Sequence, residues 1–127
     1  MRVFKNKAAR KWAASEAIED GALWIAAKEI INGQVEADLG GCLYKKRLPR
    51  RGKGKSGGYR TLVGYRKGNS DRVVFLYGFP KSKRANITDK EKAALSLAAE
   101  SFINATDEQI VRLIKDGSMF ELEAPDE

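Results

Sequence analysis

The stretch Arg72–Phe79 carries Val73, Val74, Phe75 and Leu76 in unbroken succession, so however its side chains alternate, both faces are apolar. A strand of this kind fits a central position in a sheet, covered on both sides. The stretch before it, Tyr59–Arg66, alternates instead. Tyr59, Thr61, Val63 and Tyr65 share one face, and Arg60, Leu62, Gly64 and Arg66 share the other. Lys67-Gly68-Asn69-Ser70-Asp71 lies between them with turn composition, which predicts an antiparallel hairpin. Cys42–Leu48 reads as a third strand, with Lys45 and Arg47 on one face and Tyr44 and Lys46 on the other. Met1–Asn6 reads as a short first strand.

The remaining segments have helical character. Ala8–Ser15 is rich in helix formers. A second helix runs from about Glu16 or Asp20 to Ile31, with Leu23, Ala27, Ile30 and Ile31 near one stripe and Gly33 as its stop. Thr88-Asp89-Lys90-Glu91 is a capping box that opens a helix with Ala94, Leu95, Leu97, Ala98 and Phe102 inward. Thr106-Asp107-Glu108-Gln109 repeats the signature, and Gly117 stops the helix that follows. A chain of 127 residues suits one domain. The expectation is an α+β domain over residues 1–117: an antiparallel sheet of about four strands, two N-terminal helices packed on it, and C-terminal helices over about 88–103 and 107–116. Residues 118–127 read as an acidic tail.

The chain contains no histidine and a single cysteine, Cys42. A Ser-His-Asp triad, a paired-histidine acid–base site, a His-ligated metal, a Cys-based zinc cluster and a disulfide framework are therefore excluded. No cofactor or metal is expected. The start, Met1-Arg2-Val3-Phe4-Lys5, lacks the apolar segment of a signal peptide, and the longest apolar run, Ala22–Ala27, is too short to span a bilayer. With its lone thiol, the chain reads as a cytoplasmic protein without a membrane partner.

The net charge of +7 is unevenly spread. Residues 41–86 hold fourteen cations against Asp71 alone, whereas residues 12–40 and 87–127 are net acidic. Two readings stand. The acidic segments cover the basic one in the fold, or the basic block meets a polyanion. The aromatics interleaved with the cations (Tyr44, Tyr59, Tyr65, Phe75, Tyr77 and Phe79) favour nucleic acid. Gly52-Lys53-Gly54-Lys55-Ser56-Gly57-Gly58 is not a nucleotide-binding P-loop, because Pro49 stands where the motif needs its first glycine and a strand follows instead of a helix. It reads as a basic loop against an RNA backbone. Arg60 and Arg66, with Lys45 or Lys46 from the neighbouring strand and Lys81, Lys83 and Arg84 past the last one, form a cluster suited to histidine-free phosphodiester chemistry. Arginines neutralise the phosphorane, and a lysine crowded by other cations can exchange protons.

Three stretches together resemble the RelE/ParE superfamily of bacterial toxins, and within it the HigB-like branch. They are Asp38–Arg47, Gly54-Lys55-Ser56-Gly57-Gly58-Tyr59-Arg60-Thr61-Leu62, and Val74-Phe75-Leu76-Tyr77-Gly78-Phe79-Pro80-Lys81, within a likeness that covers about residues 1–115. The resemblance implies a small RelE-like fold and the toxin of a type II toxin–antitoxin pair. It implies a ribosome-dependent mRNA endoribonuclease that inhibits translation by metal-free 2′-hydroxyl attack. The implied partners are a cognate antitoxin (a helix-turn-helix protein), the ribosome and mRNA, and operator DNA bound by the toxin–antitoxin complex. Arg60 matches the family's transition-state arginine, and Lys45, Lys46, Lys83 and Tyr59 complete the candidate catalytic set. Arg47, Arg50, Arg51, Lys53, Lys55, Arg66, Lys81 and Arg84 are the candidate RNA-binding residues. Many family members carry a Tyr or His past the last basic cluster, where this chain has Ala85-Asn86-Ile87. That leaves the general acid open among Tyr59, Tyr77 and Lys83. The rival readings are a ParE-like toxin that acts on DNA gyrase and a non-catalytic nucleic-acid-binding module.

Overall fold

The computed structural model describes residues 1–50 and 58–125. Strand β1 (Arg2–Asn6) leads into helices α1 (Lys7–Ser15) and α2 (Asp20–Ile31). Four strands follow, β2 (Ala37–Gly40), β3 (Leu43–Leu48), β4 (Tyr59–Arg66) and β5 (Asn69–Pro80). After them come α3 (Asp89–Ile103), α4 (Asp107–Lys115) and β6 (Met119–Leu122). The strands form one sheet in the order β2-β3-β4-β5-β1-β6.

β5 sits where its composition demands, inside the sheet and between helical layers. On one face Val3, Val63, Val73 and Phe75 pack with Ala9 of α1 and with Leu23, Ala27 and Ile30 of α2. On the other, Phe4, Leu62, Val74 and Leu76 pack with Ala99 and Phe102 of α3 and Ile110 of α4. No helix among the described residues is long and apolar enough to cross a membrane.

The sheet departs from the expected four antiparallel strands in three ways. β1 runs parallel to β5, so the sheet is mixed. β2 and β6, each four residues long, extend it at its two edges. β6 lies within the stretch read as an acidic tail. It pairs antiparallel with β1, which would otherwise present unpaired backbone groups, and buries Met119 and Leu122. Arg2 and Glu121 join the two strands by an ion pair of 2.8 Å. The turn between β4 and β5 is also tighter than its composition suggested: Arg66 pairs with Asn69, and Gly68 takes a φ of 87°.

The inward face of α3 differs from expectation by part of a turn. Ala94, Leu97 and Ala98 are exposed, while Ala99, Phe102 and Ile103 are buried and Leu95 is partly so. The cause lies in the sheet. At Gly64 an added Cβ would come within 3.2 Å of the Ala99 Cβ and 2.8 Å of Val74 Cγ1, so the missing side chain is what lets this turn of the helix approach. A segment as evenly rich in Ala and Leu as Ala93–Ala99 has no strong stripe of its own, and the sheet decides which side turns in.

Both capping boxes form as the sequence predicts. Thr88 Oγ1 accepts from Glu91 N at 3.1 Å while Glu91 Oε1 accepts from Thr88 N at 2.8 Å, and Thr106 and Gln109 repeat the exchange at α4. Arg72, in the first half of β5, closes the other end of α3: its Nη1 donates to the carbonyls of Phe102 at 2.9 Å and Ala105 at 2.7 Å. A guanidinium there satisfies carbonyls that the helix leaves open and complements its dipole.

Gly78 faces α1, and a Cβ there would run into the Trp12 ring. Gly78→Ala is expected to destabilise the fold by ~1–3 kcal/mol through overpacking, read as a lower urea midpoint with an unchanged slope. Glu91 generates a second prediction. Its bond from the Arg84 guanidinium, followed by the Thr88 backbone N–H, lowers its pKa to about 2. A depressed carboxylate stabilises the fold above its unfolded value of about 4.3, and that stabilisation is lost as pH falls from there through the folded value. Thermal unfolding of Glu91→Gln, which keeps a cap-competent side chain, is therefore expected to be less acid-sensitive than wild type in that window.

Candidate nucleic-acid site

Strand register sets three rows of side chains across β3, β4 and β5 on the α3 side of the sheet. They are Leu43–Gly64–Val74, Lys45–Leu62–Tyr77 and Arg47–Arg60–Phe79. The first row lies under α3, with Gly64 against Ala99. Polarity rises along the strands away from it. A register shift at Leu62/Val63 places Leu76 and Tyr77 in succession on this same side, so Tyr77 and Phe79 face the way Arg60 does. Without that bulge, simple alternation would have turned both toward α1.

The third row is the centre of the site. Arg47 and Arg60 are direct cross-strand neighbours, a pairing that like charges disfavour unless an anion lies between them. Here the anion is Glu36, just before β2. Its carboxylate meets Arg60 Nε at 2.9 Å, Arg47 Nη2 at 3.3 Å and Lys45 Nζ at 3.9 Å. Arg60 is only 4% exposed, and its Nη1 is buried without a hydrogen-bond partner among the described residues. Arg47 is exposed.

The segment after β5 borders the cluster. Lys45 Nζ donates to the Ala85 carbonyl at 3.4 Å. Arg84 stacks 5.2 Å over the Phe79 ring, lies beside the Tyr77 hydroxyl, and donates two bonds to the Glu91 carboxylate, one of them at 3.1 Å. Arg84 is thus tied to the first turn of α3. Lys81 and Lys83 are exposed on the turn leading to it.

Lys45, Arg47, Arg60 and Arg84 therefore share one face, with Lys81 and Lys83 at its border. Lys46 and Tyr59 do not join them. Lys46 points toward α2, where it is buried between Glu29 Oε1 at 3.1 Å and the Gln34 carbonyl at 2.8 Å. Tyr59 packs edge-on against Trp12 in the core beneath α1. Burial, and then the nearby Glu16, push its hydroxyl above the usual range, which makes it a poorer proton donor. Arg50 lies over the Tyr59 ring at 5.6 Å, also off the Arg60 face. Arg66 is at the far end of β4, where it donates to Asn104 Oδ1 at 2.6 Å. Six residue steps along the strand, roughly 20 Å, separate it from Arg60. Arg51, Lys53, Lys55 and the rest of the glycine-rich loop through Gly57 lie outside the described residues.

Sequence reasoning missed the carboxylates. Glu36 carries no local signature, because its partners are nine to twenty-four positions away. Glu91 is legible as a cap but not as the partner of Arg84. The arrangement concentrates guanidinium groups beside an aromatic pair, Tyr77 and Phe79, whose ring centroids are 6.0 Å apart. It can neutralise a phosphodiester and support a stacked base.

No curated protein matches the chain in sequence. The model of one protein family does, described as the RelE toxin of the RelE/RelB toxin–antitoxin system, and the match extends over residues 1–122, including β6. With nearly the whole chain covered, this protein belongs to the RelE family of toxins from toxin–antitoxin systems.

Proposed function

We propose that this toxin is a HigB-like, ribosome-dependent mRNA endoribonuclease that acts in the cytoplasm. Its antitoxin is taken to be a helix-turn-helix protein, and the two together to bind operator DNA. The observation that carries the reading is the cross-strand pair Arg47–Arg60 with Lys45 behind it: three cations converging on one point beside the Tyr77–Phe79 rings.

In this reading the scissile phosphate lies at that point. Arg60 neutralises charge as the 2′-oxygen, its proton passing to water, bonds to phosphorus and the bond to the 5′-oxygen breaks. Arg47 and Lys45 hold the flanking backbone, and Arg84 and Phe79 support the base. Guanidinium groups positioned before the reaction act on charge that develops only in the transition state, commonly the largest contribution to such a rate. Lys81 and Lys83 extend the contact along the strand of RNA. Of the three proton donors considered for the 5′-oxygen, Tyr77 is favoured by its place beside Arg84 and on the face of Arg60. Lys46 and Tyr59 are then structural, the first as the partner of Glu29 and the second as a core aromatic.

Induced expression is expected to stop translation and leave transcripts cut on translating ribosomes, mapped by primer extension. Arg60→Ala should lower single-turnover cleavage by ~10²–10³-fold, and Arg60→Lys should restore little, because a point charge lacks the guanidinium fork. Growth arrest with intact transcripts and DNA-damage signalling would instead identify a gyrase poison. RNA binding with no cut product would identify a passive binding module. The neighbouring lysines provide a further contrast. Lys45→Ala is expected to reduce cleavage at unchanged thermal stability, whereas Lys46→Ala lowers the melting temperature by leaving Glu29 and the Gln34 carbonyl without their partner.

A further inference from the structure

We propose that Glu36 is an internal stand-in for a backbone phosphate. It holds the Arg60–Arg47–Lys45 cluster closed, and nucleic acid enters by displacing it. This rests on reading the cluster as a phosphodiester site.

The geometry is that of an occupied anion subsite. A carboxylate offers two anionic oxygens at the spacing a guanidinium fork accepts, as a phosphodiester does. The Glu36 oxygens stand 2.9, 3.3 and 3.9 Å from the three cations most suited to contact RNA. The occupancy is incomplete. Arg60 Nη1 is buried with no acceptor among the described residues, although a buried donor on a charged group is costly to leave unmet. A phosphate offers more acceptor oxygens in a tetrahedral array and can engage this donor once Glu36 withdraws. The closed arrangement therefore carries a penalty that the occupied one lacks.

Glu36 is also placed to leave. Its backbone is pinned, its N–H donating to the Lys45 carbonyl at 2.8 Å, so only the side chain has to swing. It belongs to the approach to a four-residue edge strand and is about a quarter exposed, with solvent beside it. The contrast with Glu91 is informative. That carboxylate is bound by Arg84 and also by the Thr88 backbone N–H, which ties it into the α3 cap. The contacts that hold the Glu36 carboxylate come from Arg60, Arg47 and Lys45, the groups RNA requires.

The experiment uses the full chain and a single-stranded 2′-deoxy oligonucleotide, which binds without being cut, with anisotropy read across a KCl series. Arg60→Ala should weaken binding at least tenfold. If it does not, the reading of the cluster as a phosphodiester site fails, whatever Glu36 does. Given that loss, Glu36→Gln should bind about tenfold more tightly than wild type, and its log K against log salt should steepen by about 0.7 for each additional phosphate neutralised. Glu19→Gln, on the link before α2, adds the same charge elsewhere and should shift binding less than twofold. Glu36→Asp keeps the charge but draws the carboxylate back by one methylene, and should tighten binding in the same direction as Glu36→Gln. This covers the case in which Glu36→Gln fails to fold. Weaker binding in both variants would make Glu36 a brace for Arg60 and overturn the proposal. So would an affinity in Glu36→Gln no higher than in the Glu19→Gln control, or a loss of RNA cleavage with binding unchanged.

Discussion

The burial of β5 on both faces is the constraint from which the rest of this molecule follows. A strand with Val73, Val74, Phe75 and Leu76 in succession needs a layer on each side, and the chain supplies α1 and α2 on one and α3 and α4 on the other. It also needs a hydrogen-bonded neighbour on each edge. β4 arrives through a two-residue turn, and β1 fills the other edge in parallel, which commits the N-terminus to the sheet centre. Once β5 and its partners are enclosed, polar chemistry is displaced toward the β3–β4 side. There α3 covers the Leu43–Gly64–Val74 row, and the row of Arg47, Arg60 and Phe79 lies further along the strands.

The features legible in the sequence were those whose cause is local. Two capping boxes, the alternation of β4, the doubly apolar β5 and the end of α2 near Gly33 each depend on residues a few positions apart. What stayed hidden depends on distant partners. β2 and β6 are four-residue strands whose pairing comes from the edges of β3 and β1, not from any pattern of their own. The bulge that turns Tyr77 and Phe79 toward Arg60 interrupts a run that otherwise reads as plain alternation. In two cases the signal was present. Tyr59 and Arg60, and likewise Lys45 and Lys46, are adjacent on strands, and adjacent strand residues cannot share a face. Placing both members of each pair in one catalytic group overlooked the period that the same sequence displays.

The acidic segments cover part of the basic block within the fold. Glu29 and Glu36, from the acidic segment before β3, land on Lys46 and on the Arg60 cluster, and Glu91 and Asp107, from the acidic segment after β5, land on Arg84 and Arg72. Much of the central basic block is thus matched within the fold, as scattered surface charge commonly is. The matching is not uniform in kind. Lys46 and Arg72 are buried against backbone carbonyls as well as carboxylates, and their charges belong to the architecture. Arg47 is exposed, and Arg60 keeps a donor without an acceptor among the described residues.

In the proposed reading, that difference separates a structural cation from one held ready for a ligand. A cluster left open to solvent would lose much of its attraction for a phosphate to water and salt. A fully buried and fully paired one could not exchange partners without a large desolvation cost. The Arg60 cluster falls between these limits. Arg60 is enclosed while Arg47 reaches solvent, and the cluster is neutralised by a carboxylate held by the cations themselves. A chain without histidine has few ways to tune such a site by protonation near neutral pH. Exchange of one anion for another, at cations already placed by strand register, is the proposed alternative means of passing from a resting state to an occupied one.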